Sequence, residues 1–153
     1  MAAAGLEQKA CEKIATFLSR TLANTYLLQV KTQNFHWNLN DNRFASLHSF
    51  FEEQYSELFT AVDALAERLR MLGIRSPGSL SEFLDLSTLD EASGGLTGDE
   101  MLSELLIDHE LIIQDLRGQI KEASEYNDLG TADLLTERLR SHEKSSWMLK
   151  AHF

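Results

Sequence analysis

Residues 44–72 run without a single proline or glycine, and that stretch limits the fold more than any other part of the chain. At about 100° per residue, Leu47, Phe51, Leu58, Val62, Leu65, Leu69 and Leu72 fall on one narrow side of a helix. A long helix that is apolar along one side must bury that side against other helices, so the local pattern already implies a bundle. Arg70 in the last turn, Gly73 after it and Pro77 just beyond mark where this helix stops.

The rest of the chain agrees. One proline and eight glycines in 153 residues, with long runs of Leu, Ala, Glu and Lys, point to an all-α protein. The pattern predicts a first helix over about residues 5–38 and the second over 44–72. A third opens at Thr97, whose spacing to Glu100 is that of a capping box, and ends near 126. After the turn "YNDLGTAD" a last helix begins near residue 131. Ser79 and Glu82 repeat the capping spacing, so "SLSEFLDL" forms a short helix inside the long connection before residue 97. The expected architecture is a four-helix bundle with one long crossover containing a short helix, in one domain over residues 1–153. There is no internal repeat, low-complexity segment or linker, and a chain of this length buries well over half of its unfolded surface.

Charge and cysteine content narrow the function. Twenty-four acids against fourteen bases give a net charge of −10, which attracts cations and repels phosphates. Neither terminus carries a lysine-rich arm, so DNA binding has no obvious device. Cys11 is alone and forms no intrachain disulfide. No apolar run approaches the length of a membrane span, and "MAAAGLEQKACEK" has no charged-then-apolar leader. A cytoplasmic protein without a membrane segment is expected.

Beside the core stripe of the second helix lies a separate arc holding His48, Glu52, Asp63 and Glu67, with Tyr55 and Phe59 between them. Asp63 and Glu67 alone would read as a solvated pair, with Arg68 and Arg70 at hand to neutralise them. Imidazole with carboxylate is also a donor set that suits Fe(II), Mn(II) or Zn(II). His48 and Asp63 are fifteen residues apart, roughly 22 Å along a helix, whereas the ligands of one ion lie within about 4 Å of each other. Either these residues never share a metal, or the acids come from a second copy of the helix running antiparallel. In the second arrangement a two-fold axis near residues 56–58 brings His48 of one copy towards Asp63 and Glu67 of the other, giving two identical sites with Tyr55 and Phe59 at the centre. His36 would join from the end of the first helix, where "HWNLNDN" is rich in terminating residues.

"NFHW" at 34–37, His48, "DALAER" at 63–68 and "MLG" at 71–73 occur at the intervals of a known pattern. With "SPGS" after the second helix and "TADLLT" opening the last, the chain resembles the DNA-protection-during-starvation (Dps) mini-ferritins of the ferritin-like superfamily over most of its length. The resemblance implies a ferroxidase centre between two subunits, with His36, His48, Glu52, Asp63 and Glu67 as catalytic iron ligands and Trp37 adjacent. It further implies a hollow dodecamer built from two-fold dimers. Such a shell oxidises Fe(II) with hydrogen peroxide or dioxygen, stores the ferric mineral and protects against oxidative damage; zinc suits the same donors. Two departures stand out: Glu52 replaces a frequent Asp, and the loop "NLNDNRF" lacks a frequent glycine. At the corner before the last helix, the resemblance makes Asp133 and Asp128 candidates for a three-fold pore that admits Fe(II). His109, His142 and His152 have no interpretable spacing and are expected at the surface or an interface. No histidine follows a Glu by three positions, which opposes a diiron centre within one chain. The rival reading is a DNA-coating nucleoid cage in which iron chemistry is secondary.

Overall fold

The computed structural model describes residues 3–153. After a 3-10 turn at Ala3–Gly5 come α1 (Gln8–Asn38), α2 (Phe44–Met71), a short α3 (Leu80–Leu86), α4 (Gly98–Glu125) and α5 (Leu129–Lys150). The fold is the expected all-α four-helix bundle, with α3 inside the crossover from α2 to α4. No helix among the described residues is long and apolar enough to cross a membrane.

Local chemistry sets the helix ends. Thr97 accepts from the Glu100 amide while the Glu100 carboxylate accepts from the Thr97 amide at 2.7 Å, completing the expected capping box. At Ser79 only half of that device forms: the Ser79 hydroxyl accepts from the Glu82 amide, and the Glu82 carboxylate turns to Arg75 and the Gly78 amide. α2 ends on Gly73 in the left-handed region (φ 79°), with the Ile74 amide reaching back to the Leu69 carbonyl at 3.1 Å. α4 ends in the same way with Asn127 in the left-handed position (φ 59°) and the Asp128 amide bonded to the Ala123 carbonyl at 2.9 Å.

α1 packs on α2 and α4 on α5, with α1 against α4 and α2 against α5 closing the bundle. Thr21 bonds Gln119 at 2.7 Å and Lys31 meets Asp108 at 2.9 Å, so α1 and α4 run antiparallel. α2 and α5 are antiparallel too, since Glu57 meets Arg138 and Arg68 meets Asp128. The expected stripe of α2 is the core face: Leu47, Phe51, Leu58, Leu65, Leu69 and Leu72 are buried, and Val62 packs against them at its margin. Each fully buried Leu or Phe contributes about 1.5–3 kcal/mol of transfer free energy.

The crossover is fastened to α1. Buried Asn24 accepts from Ser87 Oγ at 2.7 Å and from the Thr88 amide at 2.8 Å, Tyr26 stacks on Phe83 at 4.5 Å, and Lys31 donates to the Asp90 carbonyl at 3.1 Å. Lys31 is itself buried and paired with Asp108 and Glu104; desolvation pushes the Asp108 carboxyl up despite the ammonium beside it.

Candidate metal centre

His36 stands in the last turn of α1 and His48 near the start of α2, joined by the loop 39–43. Their rings stack at 3.7 Å with 14° between planes. His36 Nδ1 is 2.7 Å from the His48 carbonyl oxygen, and His48 Nδ1 is 2.8 Å from the His36 carbonyl oxygen. A carbonyl only accepts, so both Nδ1 atoms carry hydrogen and both Nε2 atoms keep a lone pair in the neutral ring, the form that binds a metal. Phe44 stacks on the outer side of His48 at 4.8 Å, and Tyr55 meets His36 edge-on at 5.2 Å. The sequence pattern pointed to both histidines; it did not reveal that each is oriented by the main chain of the other.

The same loop is clamped from outside. Arg43 holds Asp41 through its main-chain amide at 2.7 Å and its guanidinium at 2.8 and 2.9 Å, then reaches Asp99 on α4 at 2.7 Å. These bonds, the guanidinium first, pull the Asp41 carboxyl down to about 2. The clamp rests on Gly98, where a Cβ would meet the Asp41 carboxylate and the Arg43 guanidinium. Gly98 is the first residue of α4, so Gly98→Ala gains less than the ~1 kcal/mol of a helix interior, and it displaces the half-buried Asp41–Arg43 pair. The expected result is a stability change under about 1 kcal/mol in thermal unfolding, together with faster amide exchange at residues 39–43.

Glu52, Asp63 and Glu67 are exposed on α2. Glu67 hydrogen-bonds Asp63, and this bond, with the neighbouring negative charge, raises the Glu67 carboxyl above the usual carboxylate range. Neither arginine neutralises the pair: Arg68 donates to Asp128 at 2.7 Å and Arg70 to the Ile74 carbonyl at 3.2 Å. Among the described residues of one chain, no three His, Cys, Asp or Glu side chains are placed to hold a metal ion together. That agrees with the helical rise separating His48 from Asp63. Between the two groups Phe59 is 64% exposed and Tyr55 half-buried. Trp37, expected to pack beside the site, is 67% exposed in the single chain.

The chain matches the ferritin-like domain family over residues 15–153. It is 38% identical over 138 residues to the DNA protection during starvation protein of Brevibacillus brevis, covering 90% of this chain and 93% of that protein. The chain belongs to the Dps mini-ferritin family. Among solved structures, Dps from Thermosynechococcus elongatus superposes on this mini-ferritin with a TM-score of 0.91 at 36% identity, covering 94% of this chain and 92% of that one. The Dps protein of Vibrio cholerae, described as a member of a broad superfamily of ferritin-like diiron-carboxylate proteins, gives 0.94 at 32% identity, covering 99% and 96%.

Three expectations change for this Dps chain. Asp128 is only 2% exposed: it accepts from the Thr131 amide at 3.0 Å and from Arg68 at 2.7 Å, so it is the cap of α5 and not a solvent-facing acid. Asp133 is exposed, as a pore acid needs to be. His109 and His142, expected at the surface or an interface, are each 1% exposed and face one another in the core of the chain. His152 is exposed, as expected.

Proposed function

We propose that this mini-ferritin oxidises Fe(II) at centres shared between two copies of the chain, using hydrogen peroxide or dioxygen, and stores the ferric product inside a hollow cytoplasmic dodecamer. The observation that carries this reading is the reciprocal bonding of His36 and His48, which ties up both Nδ1 atoms and leaves both Nε2 atoms as the positions open to a metal. Exposed Phe59, with unneutralised Asp63 and Glu67 on the same helix, supports an antiparallel second copy as the source of the missing carboxylates.

Fe(II) is the substrate. His36 and His48 would orient it, while Asp63 and Glu67 of the second copy supply the negative charge that favours ferric over ferrous iron. Glu52 would help to hold a second ion, so that two Fe(II) ions deliver the two electrons that cleave the O–O bond of one peroxide. With two protons taken up, the peroxide leaves as two waters. Zinc suits the same donors and would compete. Asp133 is the remaining candidate for guiding Fe(II) through a pore. The net charge of −10 opposes DNA coating as the main activity.

Sizing the assembly while following Fe(II) oxidation in parallel with peroxide and with oxygen tests this. A dodecamer that oxidises Fe(II) rapidly, and is slowed by added zinc, is expected. A stable single chain, or a shell that leaves Fe(II) unoxidised with both oxidants, would overturn it.

A further inference from the structure

A polar chain runs from exposed Glu57 of α2 through buried Arg138 and His142 of α5 to buried His109 of α4, away from the histidine pair of the α1–α2 loop. His109 Nδ1 of α4 lies 2.9 Å from His142 Nδ1 of α5, with the ring centroids 5.0 Å apart. Arg138, one turn before His142, places Nη2 3.2 Å from His142 Nε2 and binds the Glu57 carboxylate of α2 with both terminal nitrogens.

Hydrogen placement here has one consistent solution. A guanidinium only donates, so His142 Nε2 accepts from Arg138 and the His142 hydrogen sits on Nδ1. That hydrogen is donated to His109 Nδ1, which must then be bare, leaving the His109 hydrogen on Nε2. His109 Nε2 has no partner among the described residues, and neither does either side-chain polar atom of Gln54, one turn before Glu57 on α2. Both imidazoles are therefore neutral, and both of their basic nitrogens already accept an N–H. A further proton on either one sets donor against donor and adds a buried cation beside Arg138.

The charged groups facing the pair are few. α5 contributes Arg138, and α2 contributes Glu57 through Arg138, with Gln54 beside it uncharged. On α4, Asp108 precedes His109 but its carboxylate is paired with Lys31 of α1. No buried acid bonded to the pair is present among the described residues to take up the added charge.

We propose that the His109–His142 pair is an acid-sensitive latch: a proton added to either ring breaks the bond between the rings or the bond to Arg138 and frees the middle of α5 from α2 and α4. Burial, reinforced by Arg138, lowers His109 to about 3, and burial, with Arg138 and the neighbouring His109 ring opposing a second proton in the pair, holds His142 well below the ordinary histidine value. Free histidine titrates near 6.5, so the open form binds more protons than the closed form below that pH. The latch is fully closed above it, and the open population grows by up to about tenfold per pH unit for each histidine as pH falls towards the closed-state values.

Hydrogen exchange on the assembled protein, read as protection factors between about pH 7 and about pH 5, tests this. Protection of α5 around residues 135–146 should fall by about a hundredfold or more, and that of α1 residues 10–30 far less. His142→Gln keeps an acceptor for Arg138 and a donor for His109 without a titrating nitrogen, and should roughly halve the logarithmic slope. Unchanged α5 protection in the wild-type protein would overturn the latch, even if the variant fails to fold. So would an equal loss over α1 and α5, or an undiminished slope in a folded His142→Gln protein.

Discussion

Shells assembled from equal amounts of a His48→Ala chain and an Asp63→Ala chain are expected to recover about a quarter of the wild-type rate of Fe(II) oxidation, although neither variant alone is active. A shared centre takes its imidazoles from one copy and its carboxylates from another, so random pairing leaves about one site in four with a complete set. Each variant alone removes a donor from every centre. Groups that merely support metal ligands are worth about 10–100-fold, so losing a ligand should cost at least about 100-fold in rapid oxidation, equally for both variants. Stopped-flow oxidation of singly expressed and co-assembled shells makes the comparison. If the mixture is as inactive as its parents, both donors belong to one chain or to no common site, and the antiparallel arrangement fails.

The second large effect falls on stability. Asp128 closes α4 with its amide, caps α5 with its carboxylate at 3.0 Å from the Thr131 amide, and neutralises Arg68 of α2 at 2.7 Å. The Thr131 hydroxyl adds a bond to the same carboxylate at 2.5 Å. Removing one partner of a largely buried pair costs about 3–5 kcal/mol, and losing an N-cap about 1 kcal/mol. Arg68 can turn partly to solvent, which offsets some of this, and a net loss of about 3 kcal/mol is expected for Asp128→Ala. For a chain of this size that is a fall in Tm of about 6–12 °C. Asp133→Asn, at an exposed position, should stay within about 0.5 kcal/mol of wild type. Thermal unfolding of the two variants separates an acid that builds the corner from one free to meet iron; equal Tm values would deny Asp128 its structural role.

The helices were legible in the sequence wherever the signal was local. The Thr97–Glu100 box opens α4 because both partners lie within one turn, and Gly73 ends α2 because its own backbone supplies the left-handed step. Starts without such a device shifted: α1 begins at Gln8, not near 5, after the 3-10 turn at Ala3–Gly5, and α5 begins at Leu129 because Asp128 is its cap. The two histidines of the candidate centre were legible through their spacing and the "NFHW" pattern. The buried pair was missed because nothing near His109 or His142 in the chain announces the other. The available clue was periodicity: Leu102, Leu105, His109, Ile112 and Leu116 share the buried side of α4, as Leu135, Arg138, His142 and Leu149 share that of α5. Asp128 was misread for a related reason. Its partner Arg68 lies 60 residues away, and only the packing of α2 on α5 brings them together.

Because His36 and His48 each hang from the carbonyl of the other, neither ring can swing without loosening its twin, and the two behave as one torsional unit. Folding has already spent the rotational freedom that a metal would otherwise have to remove. An arriving ion should therefore meet a rigid pair of donors, so that its affinity is governed by how well it fits them and not by the entropy of gathering them.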